Sequence, residues 1–283
     1  YSGEGGLHEA FVGLGWQPVK GVSLGVNGGY LWGNCTRTVS NAYSDSYVNT
    51  LSKTMSFDVT NYKVNFGVQL SRNLSAKDLL TLGATYSIGH KLNADPTLDI
   101  VSTNSQTSVT DTIQFVANNS IELPHEFALG LAYTHNNSFT VAFDYQMQQW
   151  SKVHYPKYND TGNGKPTFYS ASGMFSDRQK FNLGMEYCRD KAGRNFASRV
   201  CYRLGASYTT PYLKINGLEG PKEFSVSGGF GLPILNQWNN RSILNISAQW
   251  VRSSAKDMIT ENTFRINIGL TFNDRWFAKW KFD

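Results

Sequence analysis

The chain has 283 residues, enough for about two ordinary domains or one large β architecture. Charged residues make up 17% and aromatic residues 14%, at a mean hydropathy of −0.37. This excludes disorder, which needs high charge and few aromatics, and a helical membrane protein, since no apolar run approaches about 18 residues. The net charge of +5 comes from cations scattered singly, so no nucleic acid is expected as a partner; an acidic membrane surface or an anionic small molecule explains the bias better.

In chain order, a first strand is expected near 8–16 and a second over 22–37. Tyr62, Val64, Phe66, Val68 and Leu70 then alternate with Asn61, Lys63, Asn65, Gly67 and Gln69, and Leu80, Leu82, Ala84 and Tyr86 with Thr81, Gly83, Thr85 and Ser87. The same period of two returns over 127–133, 139–148, 223–232, 244–250 and 263–272. Runs of about 10 residues suit tilted strands crossing a bilayer. Soluble sandwich strands stop at about 5–6. One parity is apolar, for lipid; the other is rich in Gly, Asn, Ser and Thr, for a lumen.

Connections alternate in size, as an up-and-down barrel requires. Short ones at 17–21, 72–78, 135–137, 190–194 and 236–241 read as periplasmic turns, and long ones at 40–55, 93–119, 153–173, 211–221 and 253–259 as extracellular loops. Residues 1–273 are therefore expected to be an all-β transmembrane up-and-down antiparallel β-barrel, with 274–283 a short periplasmic tail. The count is about eleven strands, beginning with a downward one. Since single-chain barrels have even strand numbers, the expectation is that this is the C-terminal part of a longer barrel. Tyr1 is not Met, which fits a removed signal peptide or an absent start.

Leu123-Pro124, the strand from Phe127 to Tyr133, a short turn, a long strand and Trp150-Ser151 resemble the mid-barrel region of the FadL/TodX family of outer-membrane transporters. Phe175-Ser176-Asp177 opening a strand, Pro211 after Leu204-Gly205, and the terminal strand from Phe264 to Phe272 follow the same order. Arg275-Trp276-Phe277 with its basic tail is similar to the ending of FadL-like barrels from Bacteroidota-type bacteria. The resemblance covers most of the chain. It implies a fourteen-stranded barrel, of which these would be strands four to fourteen, so that the family's lumenal hatch and kinked third strand would precede Tyr1.

Lys63, Arg178, Lys180, Arg199, Arg203 and Arg265 share the inward parity with Asp144, Glu186 and Glu223. They form either a basic lumen for an acyl carboxylate or a set of interior ion pairs. Arg199, Arg203 and Lys180 are the leading ligand candidates, with Arg265, Lys63 and Trp150 behind them. Trp16, Trp32, Trp250, Trp276 and Trp280 read as membrane-interface girdles. Gly21-Val22-Ser23-Leu24-Gly25 matches a nucleophile-elbow string by coincidence, since an elbow needs a strand-to-helix turn and this chain is expected to be helix-free. The five histidines lack ligand spacing, so no metal or other cofactor is expected. Cys188 and Cys201 face inward on adjacent strands, but the turn between them is expected to offset their heights beyond disulfide reach. The polar loop Asn159-Asp160-Thr161-Gly162-Asn163-Gly164 lacks the spacing of a calcium loop.

Two readings of function stand, the first leading and the second its alternative. One is passive uptake of hydrophobic or amphipathic, long-chain fatty-acid-like molecules across the outer membrane of a Gram-negative bacterium. The other is a FadL-like accessory barrel of an outer-membrane secretion or assembly complex, which binds proteins and transports nothing. Neither involves an enzyme, and a lipase barrel is poorly supported. Expected partners are outer-membrane lipids and lipopolysaccharide, a hydrophobic ligand, and other outer-membrane or periplasmic proteins.

Overall fold

The structure is a computed structural model that describes residues 1–45, 47–160, 165–191, 193–215, 217–235 and 241–271. The chain is almost all β. Strands β1 (Ser2–Val19), β2 (Val22–Asn41), β3 (Thr50–Asn73) and β4 (Asp78–Ser87) are followed by the hairpin β5 (Thr97–Thr103) and β6 (Thr110–Val116). Then come β7 (Glu126–His135), β8 (Phe139–Gln148) and a second hairpin, β9 (Tyr155–Asn159) and β10 (Thr167–Ala171). β11 (Arg178–Cys188) and β12 (Cys201–Thr209) flank a short helix, α1 (Phe196–Arg199). β13 (Lys214–Ile215), β14 (Leu218–Glu219), β15 (Lys222–Leu235), β16 (Arg241–Ser254) and β17 (Glu261–Thr271) complete the chain.

Eleven of these strands form one antiparallel wall in the order β1-β2-β3-β4-β7-β8-β11-β12-β15-β16-β17, the path of an up-and-down barrel. Among the described residues β1 and β17 each pair on one side only. Among the described residues no helix is long and apolar enough to cross a membrane. Adjacent strands meet in tight turns where the sequence allows positive φ: Gly21 at +87° between β1 and β2, and Asn136 and Asn137 at +51° and +55° between β7 and β8.

The alternation resolves into two faces. One parity carries Lys63, Glu126, Glu186, Arg203 and their hydrogen-bond partners, and is the lumenal side. The other presents Leu204, Phe230, Ile246 and Ile268, all still exposed, as an apolar band for hydrocarbon. Trp16 and Trp250 stand on this outward face near strand ends, whereas Trp32 sits in the middle of β2, against His8 and Tyr30. Trp276, Trp280, Phe272 and the 274–283 tail lie outside the described residues.

Three expectations are corrected. The segments read as extracellular loops contain strands: β2 and β3 pair upward to Asn41 and Leu51, β5 and β6 continue the sheet from the upper half of β3, and β9–β10 and β13–β14 are small hairpins. Their faces are not divided into apolar and polar, so the apolar signal stops before the strand does. The chain is not helix-free: a 3-10 turn spans Trp150–Lys152 and α1 spans Phe196–Arg199. Finally, Cys188 and Cys201 are joined by a disulfide, as directly opposed residues closing β11 and opening β12 with Cα atoms 4.3 Å apart. The α1 excursion takes up the chain between them and cancels the expected offset. Cys35 is a free thiol.

Candidate functional site

The lumen wall is polar and largely satisfied by its own residues. Glu186 on β11 accepts from the Arg203 Nε at 2.8 Å and the Lys191 Nζ at 2.9 Å, while the Arg203 Nη1 donates to the Asn245 Oδ1. The Arg203 guanidinium therefore ties β11, β12 and β16 together across the lumenal face of β15. Lys63 on β3 reaches over β2 to Glu9 on β1 at 3.1 Å. Glu126 accepts from Gln146 and Gln148. A pocket of about 310 Å³ remains between Lys63, Asn65, Ser87 and Glu126.

Higher up, the inner faces of β2 and β3 are covered by chain that folds inward from the tops of β4 and β7. Leu31 and Val59 pack with Leu92, Ala94 and Ile121 in the main buried cluster, flanked by Phe57 and Leu123. Backbone bonds from Leu92 to Ile121 and from Leu123 to His90 hold this insert in a strand-like pair, and the Glu122 carboxylate accepts from the backbone N–H and ring of His154 at 2.9 and 2.7 Å. Tyr155 and Tyr158 in β9 join the same cover. Burial pushes both phenols up, and the Asp160 carboxylate pushes Tyr158 further.

The structure brings together only part of the site expected from sequence. Arg203 is where the parity places it. Arg199 is not on the strand face but at the end of α1, where its Nη1 donates to the carbonyls of Gly193 and Arg194 at 2.8 and 2.7 Å. Parity cannot be carried through a helical turn. Lys180 stands opposite Gln146 and Thr209, and Arg265 opposite Gln249 on the edge strand β17; among the described residues neither has an ion-pair partner. Trp150 leaves the strand pattern for the 3-10 turn, where its Nε1 donates to Gln148 and its ring lies against Phe175 and Tyr212. The nucleophile-elbow string is the β1–β2 turn and the start of β2.

On the outer face, the register sets up a feature that period-two alternation does not show. Gly15, Gly25 and Gly67 are consecutive cross-strand partners on β1, β2 and β3, and the row continues through Thr85 and Ala128. The row has the inward parity, so Thr85 and Ala128 turn their side chains to the lumen and the glycines have none, and on the outside the row is a bare backbone floor. The row above it (Leu14, Val26, Phe66, Tyr86, Phe127) and the row below (Trp16, Leu24, Val68, Ala84, Leu129) are its walls. The result is an almost wholly apolar groove of about 770 Å³ on the membrane-facing side. A second groove of about 380 Å³, over Gly83 and Gly130, shares Val68, Ala84 and Leu129 with the first.

A family model described as BamG matches residues 1–283. None of the curated protein sequences matches the chain. Among solved structures it is similar to the CymD monoaromatic hydrocarbon channel, at 15% identity and TM-score 0.62, covering 98% of this chain and 78% of that one. It is also similar to the Ralstonia pickettii toluene transporter TbuX, at 12% identity and TM-score 0.61, covering 96% and 69%. A Pseudomonas aeruginosa FadL homologue aligns at 12% identity and TM-score 0.55, over 90% and 61%. The fold is that of a FadL-like outer-membrane β-barrel, and the chain, matched over its whole length, belongs to the BamG family.

Proposed function

We propose that this barrel is an accessory subunit of an outer-membrane protein assembly or secretion complex in a Gram-negative bacterium, working through its outer wall and loops and not through a conducting lumen. The observation that carries the reading is the interior. At its upper end the β2–β3 wall is covered by the protein's own Leu92 and Ile121 insert, and Lys63 and Arg203, two of its inward cations, already sit on Glu9 and Glu186. The family name hints in the same direction. The reading includes no covalent chemistry.

The test is a pair of measurements on one depletion strain. Isolation of the tagged barrel in mild detergent should bring down other outer-membrane proteins in fixed ratio, and depletion should lower the amount of newly assembled outer-membrane protein while leaving hydrocarbon and fatty-acid uptake unchanged. Loss of uptake with normal assembly would overturn it.

That reverse outcome would favour a second reading, passive uptake of a hydrophobic or amphipathic molecule. It draws support from the likeness to hydrocarbon channels. In it Lys180 and Arg265, with Arg203, Lys63, Arg199 and Trp150 at the margins, would meet an anionic headgroup.

A further inference from the structure

The outer grooves lie on a surface that faces lipid, and the inference from them stands apart from the proposal above. Three features give them direction. Ala84 is the small residue in the ridge that separates them, so the two join through a notch and run along β4 from Tyr86 to Leu82. Four residues at about 3.3 Å each make about 13 Å of that path, a length suited to an acyl chain and too narrow, at one side chain's width, for a helix. The upper end is polar. The Tyr86 ring walls the groove while its hydroxyl bonds the His125 Nδ1 at 2.8 Å.

The tautomer of that histidine follows from its partners. The Gly89 backbone N–H, which can only donate, also points at the His125 Nδ1 at 3.2 Å. Nδ1 is thus the acceptor, and in the neutral ring Nε2 carries the proton. Among the described residues no hydrogen bond takes up Nε2. His90, stacked on Tyr62 one side over, has both ring nitrogens near oxygens of Ile88 and Asn61. Stacked on Tyr86, His125 therefore sets one donor beside the upper end of the groove.

We infer that this groove is a binding site for one acyl chain of a phosphorylated outer-leaflet lipid, with the chain seated through the Ala84 notch and the His125 Nε2–H donating to the phosphate. The lipid fills the strip where glycines leave the wall thinnest, so the wall meets the bilayer without a void.

The full chain is folded into phosphatidylcholine nanodiscs containing either lipid A or its dephosphorylated form, and bound lipid is counted by native mass spectrometry. Wild type should retain lipid A about five-fold over the dephosphorylated lipid. Ala84→Phe, which sets a ring in the notch, should lower retention of both lipids, and the milder Ala84→Val should do so in part, with heat-modifiable gel mobility reporting that each variant is folded. His125→Ala should erase the preference for phosphate and leave retention of the dephosphorylated lipid unchanged. Equal retention of the two lipids by wild type overturns the inference, as does unchanged retention in both Ala84 variants. A photoreactive side chain at position 129 should crosslink lipid in outer membranes, and capture of a protein there would overturn it as well.

Discussion

The β1–β4 and β7 wall differs from the β11–β16 wall in how each settles its interior. The first covers the upper inner face of β2 and β3 with apolar packing, Leu92 and Ile121 against Leu31 and Val59, and below it Lys63 reaches across β2 to Glu9. Among the described residues the second has no such buried cluster. It locks its lumenal face with Glu186, Lys191, Arg203 and Asn245 and clamps the lower end with the Cys188–Cys201 disulfide. Apolar packing carries its full value wherever water is excluded, whereas half-exposed ion pairs are screened and weak. The first wall should therefore be broken by single core changes, and the second by its covalent clamp more than by its charges.

The largest effect is expected from Leu92→Asp, which places an unpaired carboxylate among Leu31, Val59 and Ile121 and should cost more than about 4 kcal/mol of unfolding free energy. Urea unfolding in lipid vesicles, followed by tryptophan fluorescence, measures it. A loss below about 1 kcal/mol would mean that the insert does not seal the upper lumen. The same variant sharpens the functional proposal, because a barrel with its cover loosened should leak small solutes from liposomes that the wild type retains.

Next comes the clamp. The disulfide closes a loop with a sequence separation of 13, and its removal in Cys188→Ser/Cys201→Ser should cost about 3 kcal/mol in the chain-entropy treatment. Adding reductant to the wild type should reproduce that loss and add nothing to the double variant. A reductant effect that persists in the variant would point to Cys35 instead.

These sites also mark how far the sequence could be read. The wall strands were legible because lipid demands an uninterrupted apolar parity, so Phe264, Ile266 and Ile268 announce themselves. Outside the bilayer that demand lapses, and Thr97–Thr103 and Thr110–Val116 look like loop although they pair throughout. The disulfide was illegible for a related reason: its register depends on four residues of helix, Phe196–Arg199, too short to leave a periodic signal. Arg199 was misplaced by the same turn, while Arg203, two residues into β12, was placed correctly. The groove could not be seen because its walls are outward residues of five different strands, and their alignment is a matter of register alone.

The charges give smaller effects, and their ranking tests the comparison most finely. Glu186→Gln leaves Arg203 and Lys191 facing each other across a site whose Glu186 side chain is 28% exposed, and about 1.5 kcal/mol of destabilisation is expected. Glu186→Met combined with Arg203→Met should recover most of it, since removing both partners abolishes the unpaired charge. For Lys63→Met, with side chains 33% and 27% exposed in its pair with Glu9, the loss should stay below about 0.5 kcal/mol. If Lys63→Met instead costs as much as Glu186→Gln, the lumen beside β1–β3 is as dry as that beside β11–β16, and the two walls hold their interiors by the same means.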